Sequence, residues 1–203
     1  LVKGYSTEMS LEATSLAVQV HGGMGFIEET GVAQLYRDAK ILTIYEGTTA
    51  IQANDLVGRK TVRDGGQTAK ALAAQVQVTQ DQLLASGSAD AVALAGRLAA
   101  ARQAFVDVVD FVVAQTANAP NAVFAGSVAY LMLSGQLMAG WQMGRALLAA
   151  QVAVGRGEDV AFMQAKIATA RFYGDHVLSR AVAWRATIVD GADSVMALPQ
   201  EAF

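Results

Sequence analysis

Long stretches with apolar residues three or four positions apart dominate the sequence after about residue 66. This spacing places the apolar residues on one face of a helix. Four such stripes follow one another along the chain: Ala69, Leu72, Val76 and Leu83; Ala91, Leu94, Leu98, Phe105, Val109 and Val112; Tyr130, Leu133, Leu137, Trp141, Gly144 and Leu148; and Ala170, Tyr173, Val177, Ala181, Trp184 and Ile188. The breaks between them are short, at residues 86–90, 118–121 and 155–159, and short breaks favour antiparallel neighbours. We therefore expect an antiparallel four-helix bundle over residues 66–190.

The third stripe lies in a segment without any charged residue between Asp110 and Arg145. Its central part, residues 122–144, is about long enough to span a bilayer. That part also contains two glutamines, two serines and four glycines, and no basic cluster flanks it to set a topology. A buried helix explains the segment as well as a membrane anchor does, and we expect the buried helix, with no membrane partner. Gly140 and Gly144 would let a neighbouring helix approach closely.

The first 62 residues differ from the rest because they contain most of the local turn signals. A first helix is expected to end at Gly22 and Gly23, and a second to begin with Thr30 as its cap. Thr48 is placed to cap a third helix that runs to about Arg59. The faces expected to point inward are Met9, Ala13, Leu16 and Val20 on the first helix, and Val32, Leu35, Tyr36 and Ala39 on the second.

Residues 41–47 read as extended or irregular chain, and no long alternation of apolar and polar residues indicates a strand. The predicted fold class is therefore all-α. The best candidate for a hinge is RDGGQ, residues 63–67. It divides the chain into a first part, residues 1–62, and an extension, residues 63–203.

Composition argues against several functional classes. The net charge of −3 and the lack of a basic block argue against nucleic acid as a partner. The chain has no cysteine, which rules out disulfides and thiolate metal sites and favours a reducing compartment such as the cytoplasm. His21 and His176 are far apart in sequence, so no metal site is expected. The first ten residues have no signal-peptide core and read as the middle of a helix, so we expect a piece of a longer protein.

Glu46 is a candidate for acid–base chemistry, because it lies between an aromatic residue and a glycine where irregular chain meets a helix. Ile44 and Tyr45 would remove water from its carboxylate, which would raise its pKa and make it a stronger base near neutral pH. The alternative is a solvated loop glutamate. The glycines at 22, 23 and 25 do not fit the dinucleotide-binding spacing and read as a helix end followed by a turn. His21 beside them could donate to an anion or serve in packing.

Three motifs in this order, QVHGGMGF, LYRDAK and IYEGTTAIQ, resemble the C-terminal helical domain of acyl-CoA dehydrogenases. The resemblance covers roughly residues 5–60. The remaining residues are similar to the C-terminal helical extension of a long-form branch, which includes the methylthiopropionyl-CoA dehydrogenase-like proteins. The resemblance implies FAD-dependent α,β-dehydrogenation of an acyl-CoA thioester, with Glu46 as the base that removes the α-proton and hydride transfer to the flavin N5.

The resemblance also assigns roles to other residues. It implies that Gly47 contacts the substrate and that Thr48, Thr49 and Ala50 contact FAD. It implies that a second stretch contacts the FAD of a neighbouring subunit: Gln19, Val20, His21, Gly22 and Gly23. Arg37 and Asp38 match a mainly structural motif. Ala50 replaces a polar residue and His21 an aromatic one, so Ala50 would act through its backbone and a specific role for His21 is doubtful.

The partners implied by the resemblance are an acyl-CoA substrate, an electron-transfer flavoprotein and further copies of the same protein. The chain contains the base but not the rest of the flavin pocket, so the isolated chain is expected to be inactive and colourless. A second hypothesis is that the extension is a non-catalytic helical module for assembly or oligomerisation.

Overall fold

The computed structural model describes residues 1–195 and 197–202, and all regular structure in these ranges is helical. The all-α prediction is confirmed. The α-helices are α1 Val2–His21, α2 Gly23–Phe26, α3 Val32–Leu42, α4 Thr49–Asp55, α5 Gln67–Ser86, α6 Ala89–Gln115, α7 Pro120–Ala125, α8 Ser127–Gly155, α9 Val160–His176, α10 Ala181–Val189 and α11 Ala192–Val195. Short 3₁₀ turns cover Glu28–Thr30, Val62–Asp64, Leu178–Arg180 and Gln200–Ala202, and a π-helix covers Leu56–Thr61.

The extension folds as an antiparallel bundle of α5, α6, α8 and α9. Lys70 pairs with Asp110 and Arg102 bonds to Gln80, which shows that α5 and α6 run in opposite directions. The core between the helices consists of side chains from the predicted stripes, among them these fully buried residues: Leu83, Leu94, Leu98, Leu133, Leu137 and Ile188. Within the described ranges, no helix is long and apolar enough to cross a membrane.

The fourth stripe does not form one helix, and that detail of the prediction is wrong. The helix α9 ends at His176, a 3₁₀ turn follows at Leu178–Arg180, and α10 begins at Ala181. The turn buries the side chain of Leu178 against Gly140 of α8. Val177, which belongs to the predicted stripe, is only partly buried. Leu178 packs so closely on Gly140 that a Cβ at position 140 would lie 2.8 Å from Cδ2 of Leu178, and close packing of this kind is typical of protein cores.

Glycines of α8 provide the close contacts of the bundle. Gly140 receives Leu178, and Gly144 lies against Leu83 and Leu98, which confirms the expectation of a close helix approach. Gly135, not predicted from the sequence, receives the ring of Tyr5 from α1. The first part of the chain is therefore seated in a notch of the bundle.

The helix α1 ends at Gly22, whose φ of +60° suits glycine. The face predicted to point inward is nevertheless mostly exposed, including Leu16 and Val20. The bundle reaches α1 near Tyr5 and Glu12, so the described chain does not cover the C-terminal half of this face.

The second helix also differs from its prediction. Thr30 does not cap α3, because its hydroxyl donates to the carbonyls of Met24 and Ile27 and the N-cap position is Gly31. Of the predicted inward face, Val32 and Ala39 are buried and Leu35 and Tyr36 are exposed. The helix packs on α1 and α2.

The π-helix after α4 joins the two parts of the chain. The hydroxyl of Thr61 donates to the carbonyl of Leu56, five residues earlier, at 2.9 Å. The same hydroxyl is 3.0 Å from the buried hydroxyl of Tyr130 on α8. This polar contact fixes the end of the first part against the bundle core.

Candidate functional site

The loop between α3 and α4, residues 43–48, holds the candidate base in an unusual backbone conformation. Glu46 has a φ of +51° and Gly47 a φ of +87°. Residues with a side chain rarely occupy this left-handed region, and such conformations concentrate at functional sites. The ends of the loop are tied together, because the N–H of Thr49 donates to the carbonyl of Thr43 at 3.2 Å.

Side chains from two helices hold the carbonyls of this loop. The ammonium of Lys3 on α1 donates to the carbonyl of Tyr45 at 3.0 Å and to that of Gly47 at 2.7 Å. The amide of Gln52 on α4 donates to the carbonyl of Glu46 at 3.3 Å. Three successive carbonyls around the candidate base are therefore fixed from two sides.

The carboxylate of Glu46 is exposed in this chain. Ile44 is 51% and Tyr45 47% exposed, so both side chains are largely open to solvent in this chain. Their effect on the carboxylate of Glu46 stays a prediction. The exposed carboxylate is open to a molecule bound on this side of the loop.

The backbone conformation at position 47 favours glycine. A Cβ there would lie 2.8 Å from Nε2 of Gln52, and the positive φ adds strain for any residue with a side chain. The backbone directly after Glu46 therefore carries no side chain.

The start of α4 follows the loop directly. Thr48 caps the helix as predicted, since its hydroxyl accepts from the N–H of Ile51 at 3.3 Å. Thr49 donates its hydroxyl to the carboxylate of Glu8 on α1, and Ala50 is exposed. The three residues expected to contact FAD thus form one continuous surface next to Glu46.

The second predicted stretch, Gln19 to Gly23, lies at the other end of α1. Sixteen residues separate Lys3 from Gln19, which corresponds to about 24 Å along a helix. Gly22 and Gly23 have open space around them, and Nδ1 of His21 is 2.9 Å from the carbonyl of Ala17 in its own helix. The two predicted groups of site residues are therefore not brought together within one chain.

Several residues near the two candidate stretches escaped the sequence prediction, among them Gln52 on α4. Lys3 and Glu8 reach the loop region across more than 40 residues of sequence, so no local pattern could have revealed them. Gly25 is needed for packing, because a Cβ there would overlap the carbonyl of Val18 where α2 folds back on α1. Only the clustering of glycines hinted at that contact.

No group of three or more carboxylate or imidazole side chains suited to a metal ion occurs among the described residues. The polar groups around Glu46 are carbonyls, hydroxyls, an amide and one ammonium group. Such a set suits hydrogen bonding and proton transfer to an organic molecule.

Residues 1–60 match the family model described as acyl-CoA dehydrogenase, C-terminal domain, and residues 65–199 match one described as acetyl-CoA dehydrogenase C-terminal like. The chain belongs to the acyl-CoA dehydrogenase family and represents its C-terminal helical region. The resemblance that the three motifs indicated is confirmed.

Among its relatives, the chain is 53% identical over 97% of its length to 3-methylmercaptopropionyl-CoA dehydrogenase of Ruegeria pomeroyi, of which it covers 33%. It is 33% identical over its whole length to broad-specificity linear acyl-CoA dehydrogenase FadE5 of Mycobacterium tuberculosis, covering 34% of that protein. A butyryl-CoA dehydrogenase of Syntrophomonas wolfei is 35% identical over the whole chain, which covers 33% of that enzyme. The chain thus spans about a third of the length of these relatives.

Proposed function

We propose that the chain is the C-terminal part of an FAD-dependent acyl-CoA dehydrogenase in which Glu46 removes the α-proton of an acyl-CoA thioester. The observation that carries the proposal is the backbone of Glu46. It is held in a left-handed conformation by bonds to the carbonyls of residues 45, 46 and 47, with its carboxylate exposed. A base must be oriented before its proton transfer becomes efficient.

The proposed reaction moves one proton and one hydride. Glu46 takes the proton from the α-carbon, and the hydrogen on the β-carbon leaves with its electron pair, so that a double bond forms between the two carbons. FAD, when bound, would supply the acceptor for that hydride at its N5 position. The product is the trans-2-enoyl-CoA.

The loop offers one further group to this reaction. Within the described part of the chain, the backbone N–H of Glu46 has no acceptor. A free N–H next to the base can donate to the thioester carbonyl, where negative charge accumulates as the α-proton leaves. Gly47 beside it keeps the approach of the thioester open.

Two surfaces of the chain fit a flavin cofactor. Thr48, Thr49 and Ala50 form the start of a helix, the end of a helix that suits anionic ligands. The exposed stretch Gln19 to Gly23 ends in glycines at which an added Cβ would meet open space, which permits close approach of a cofactor. This stretch lies at the opposite end of α1 from Lys3, the residue that contacts the loop of Glu46. That separation supports our proposal that the stretch contacts the FAD of a neighbouring subunit.

The proposal is tested by Glu46→Gln in the full-length protein, with Glu29→Gln at another exposed glutamate as the control. We expect the Glu46→Gln variant to retain the absorbance of bound FAD but to show no bleaching of the flavin by acyl-CoA. The control should bleach at the normal rate. Normal bleaching by the Glu46→Gln variant would exclude Glu46 as the base.

We further propose that the 203-residue chain alone is inactive and binds no flavin, because both candidate surfaces are exposed patches rather than a closed pocket. The purified chain should be colourless. One FAD bound per chain after purification would contradict this prediction.

The relatives suggest the partners of the whole protein. Their names all refer to acyl-CoA dehydrogenases, two with different acyl groups and one with broad specificity, so we propose an acyl-CoA thioester as the substrate class. A relative of one segment, 46% identical over 52 residues, is the caffeyl-CoA reductase-Etf complex subunit CarC of Acetobacterium woodii. We propose an electron-transfer flavoprotein as electron acceptor, and the cytoplasmic location expected from the cysteine-free sequence stays a prediction.

The division at residue 62 is likewise a proposal, supported by the two family-model matches on either side of residues 61–64. A non-catalytic assembly role for residues 63–203 remains the alternative, favoured by the exposed aromatic rings of Phe162 and Phe172 on α9. Light scattering of the full-length protein with and without residues 63–203 separates the two. Loss of oligomers together with unchanged activity per bound flavin would support the assembly role.

A further inference from the structure

The position of the candidate base depends on a residue at the far side of the loop. The ammonium of Lys3 donates to the carbonyls of Tyr45 and Gly47, the two residues that flank Glu46. Hydrogen bonds from a charged donor are roughly twice as strong as neutral ones. Lys3 therefore fixes both peptide planes next to Glu46, which sets the direction of its side chain.

Lys3 can fix the loop only because the residues next to it fix the start of α1 against the bundle. Gly4 packs so closely on the bundle that a Cβ there would lie 2.7 Å from Cδ2 of Leu131. The ring of Tyr5 occupies the notch at Gly135, and its hydroxyl is 3.1 Å from that of Tyr173 on α9. The two residues after Lys3 thus anchor it to α8 and α9.

We infer that Lys3 is a positioning residue for Glu46, and that the bundle determines the geometry of the base through Gly4, Tyr5 and Lys3. This inference rests on the proposed role of Glu46 as the base. It gives residues 63–203 a part in catalysis although the bundle does not supply the reacting carboxylate.

Two simpler roles for Lys3 would give different results. A general contribution of positive charge would be shared by other lysines near the loop, such as the exposed Lys40 on α3. A purely structural role would reduce the amount of flavin-loaded enzyme without changing the rate per bound flavin. A positioning role instead lowers the rate at saturating substrate and leaves substrate affinity nearly unchanged.

The test compares Lys3→Met with Lys40→Met in the full-length protein, with flavin bleaching by acyl-CoA followed in stopped flow. For Lys3→Met we expect the saturating rate per bound flavin to fall roughly 10- to 100-fold, because small misplacements of reacting groups have effects of this size. The acyl-CoA concentration for half-maximal rate should change less than about threefold, since the substrate contacts are untouched. Lys40→Met should bleach at the normal rate.

A second variant keeps the test decisive if Lys3→Met fails to fold. Lys3→Gln keeps a hydrogen-bond donor but not the charge, so its rate should lie between those of the wild type and Lys3→Met. A normal rate per bound flavin in both Lys3 variants, or an equal fall in Lys40→Met, overturns the inference. If Glu46→Gln also bleaches normally, the proposed function fails; if only the Lys3 variants do, the positioning role alone fails.

Discussion

The bundle and the first 62 residues bury their apolar side chains to very different degrees. The large side chains of the bundle stripes, such as Leu98 and Leu137, are fully enclosed. In the first part, Val20 is 84% and Phe26 82% exposed. Exposed apolar patches of this kind mark interaction surfaces. The bundle therefore contains its own core, whereas the part that carries the site residues also presents several large apolar side chains outward.

The largest expected effect is on stability, when a buried leucine of the bundle and an exposed leucine of the first part are each replaced by alanine. Leu98→Ala should lower the free energy of unfolding of the chain by about 2–5 kcal/mol, because it removes a fully buried side chain and leaves a cavity. Leu16→Ala, on the exposed face of α1, should change it by no more than about 0.5 kcal/mol. Urea unfolding of the 203-residue chain measures both values.

Repeating this pair in the full-length protein sharpens the comparison. If the exposed face of α1 is an interface there, the destabilisation by Leu16→Ala should exceed its value in the isolated chain. Equal values in both proteins would show that this face stays exposed.

The polar link between the two parts predicts a loss of stability at high pH. Burial raises the pKa of the Tyr130 hydroxyl to about 12, from 10.0. Between these values the folded chain keeps this proton while the unfolded chain releases it, so stability falls as pH rises. The loss is on the order of 2–3 kcal/mol over the window, because each pH unit contributes about 1.36 kcal/mol.

Tyr130→Phe removes this contribution. The variant should be less stable than the wild type by about 1 kcal/mol at pH 7, because it loses the hydrogen bond with Thr61. It should lose less stability than the wild type between about pH 10 and pH 12, as measured by urea unfolding at both pH values. Parallel pH profiles for the two proteins would contradict the assigned burial of the hydroxyl.

The contact between Tyr5 and Gly135 predicts an effect at the junction of the two parts. Gly135→Ala should destabilise the chain by about 1–3 kcal/mol, because the added methyl group overlaps the Tyr5 ring and forces α1 away. The matched control is Gly96→Ala on α6, where no atom lies near the added methyl. It should stabilise by roughly 0.5–1 kcal/mol. In a Tyr5→Ala background the penalty at Gly135 should largely vanish.

The smallest effect concerns the helix that follows the loop. Thr48→Ala should cost about 1 kcal/mol, since it leaves the N–H of Ile51 without its side-chain acceptor. Thr48→Ser keeps the acceptor and should be close to neutral. Thermal unfolding of the three chains distinguishes these values, and equal losses for both variants would argue against the cap.

The helices of the bundle were predictable because each stripe repeats a local spacing that burial then enforces. The cap at Thr48 was predictable for the same reason, since its acceptor and donor are three residues apart. Thr30 misled the prediction because its hydroxyl found carbonyls on the preceding turn. The break after His176 follows from the notch at Gly140, and the hold of Lys3 on the loop follows from contacts across 42 and 44 residues. Neither the break nor the Lys3 contacts can be predicted from a local sequence pattern.

The shared space of Tyr5 and Gly135 has a consequence for how this region of the family can vary. One position can gain volume only if the other loses it, so the two residues form an epistatic pair. A chimaera that joins residues 1–62 of one relative to the bundle of another would inherit matched partners only by chance. Compatibility at this pair would then affect which exchanges yield a stably folded chain.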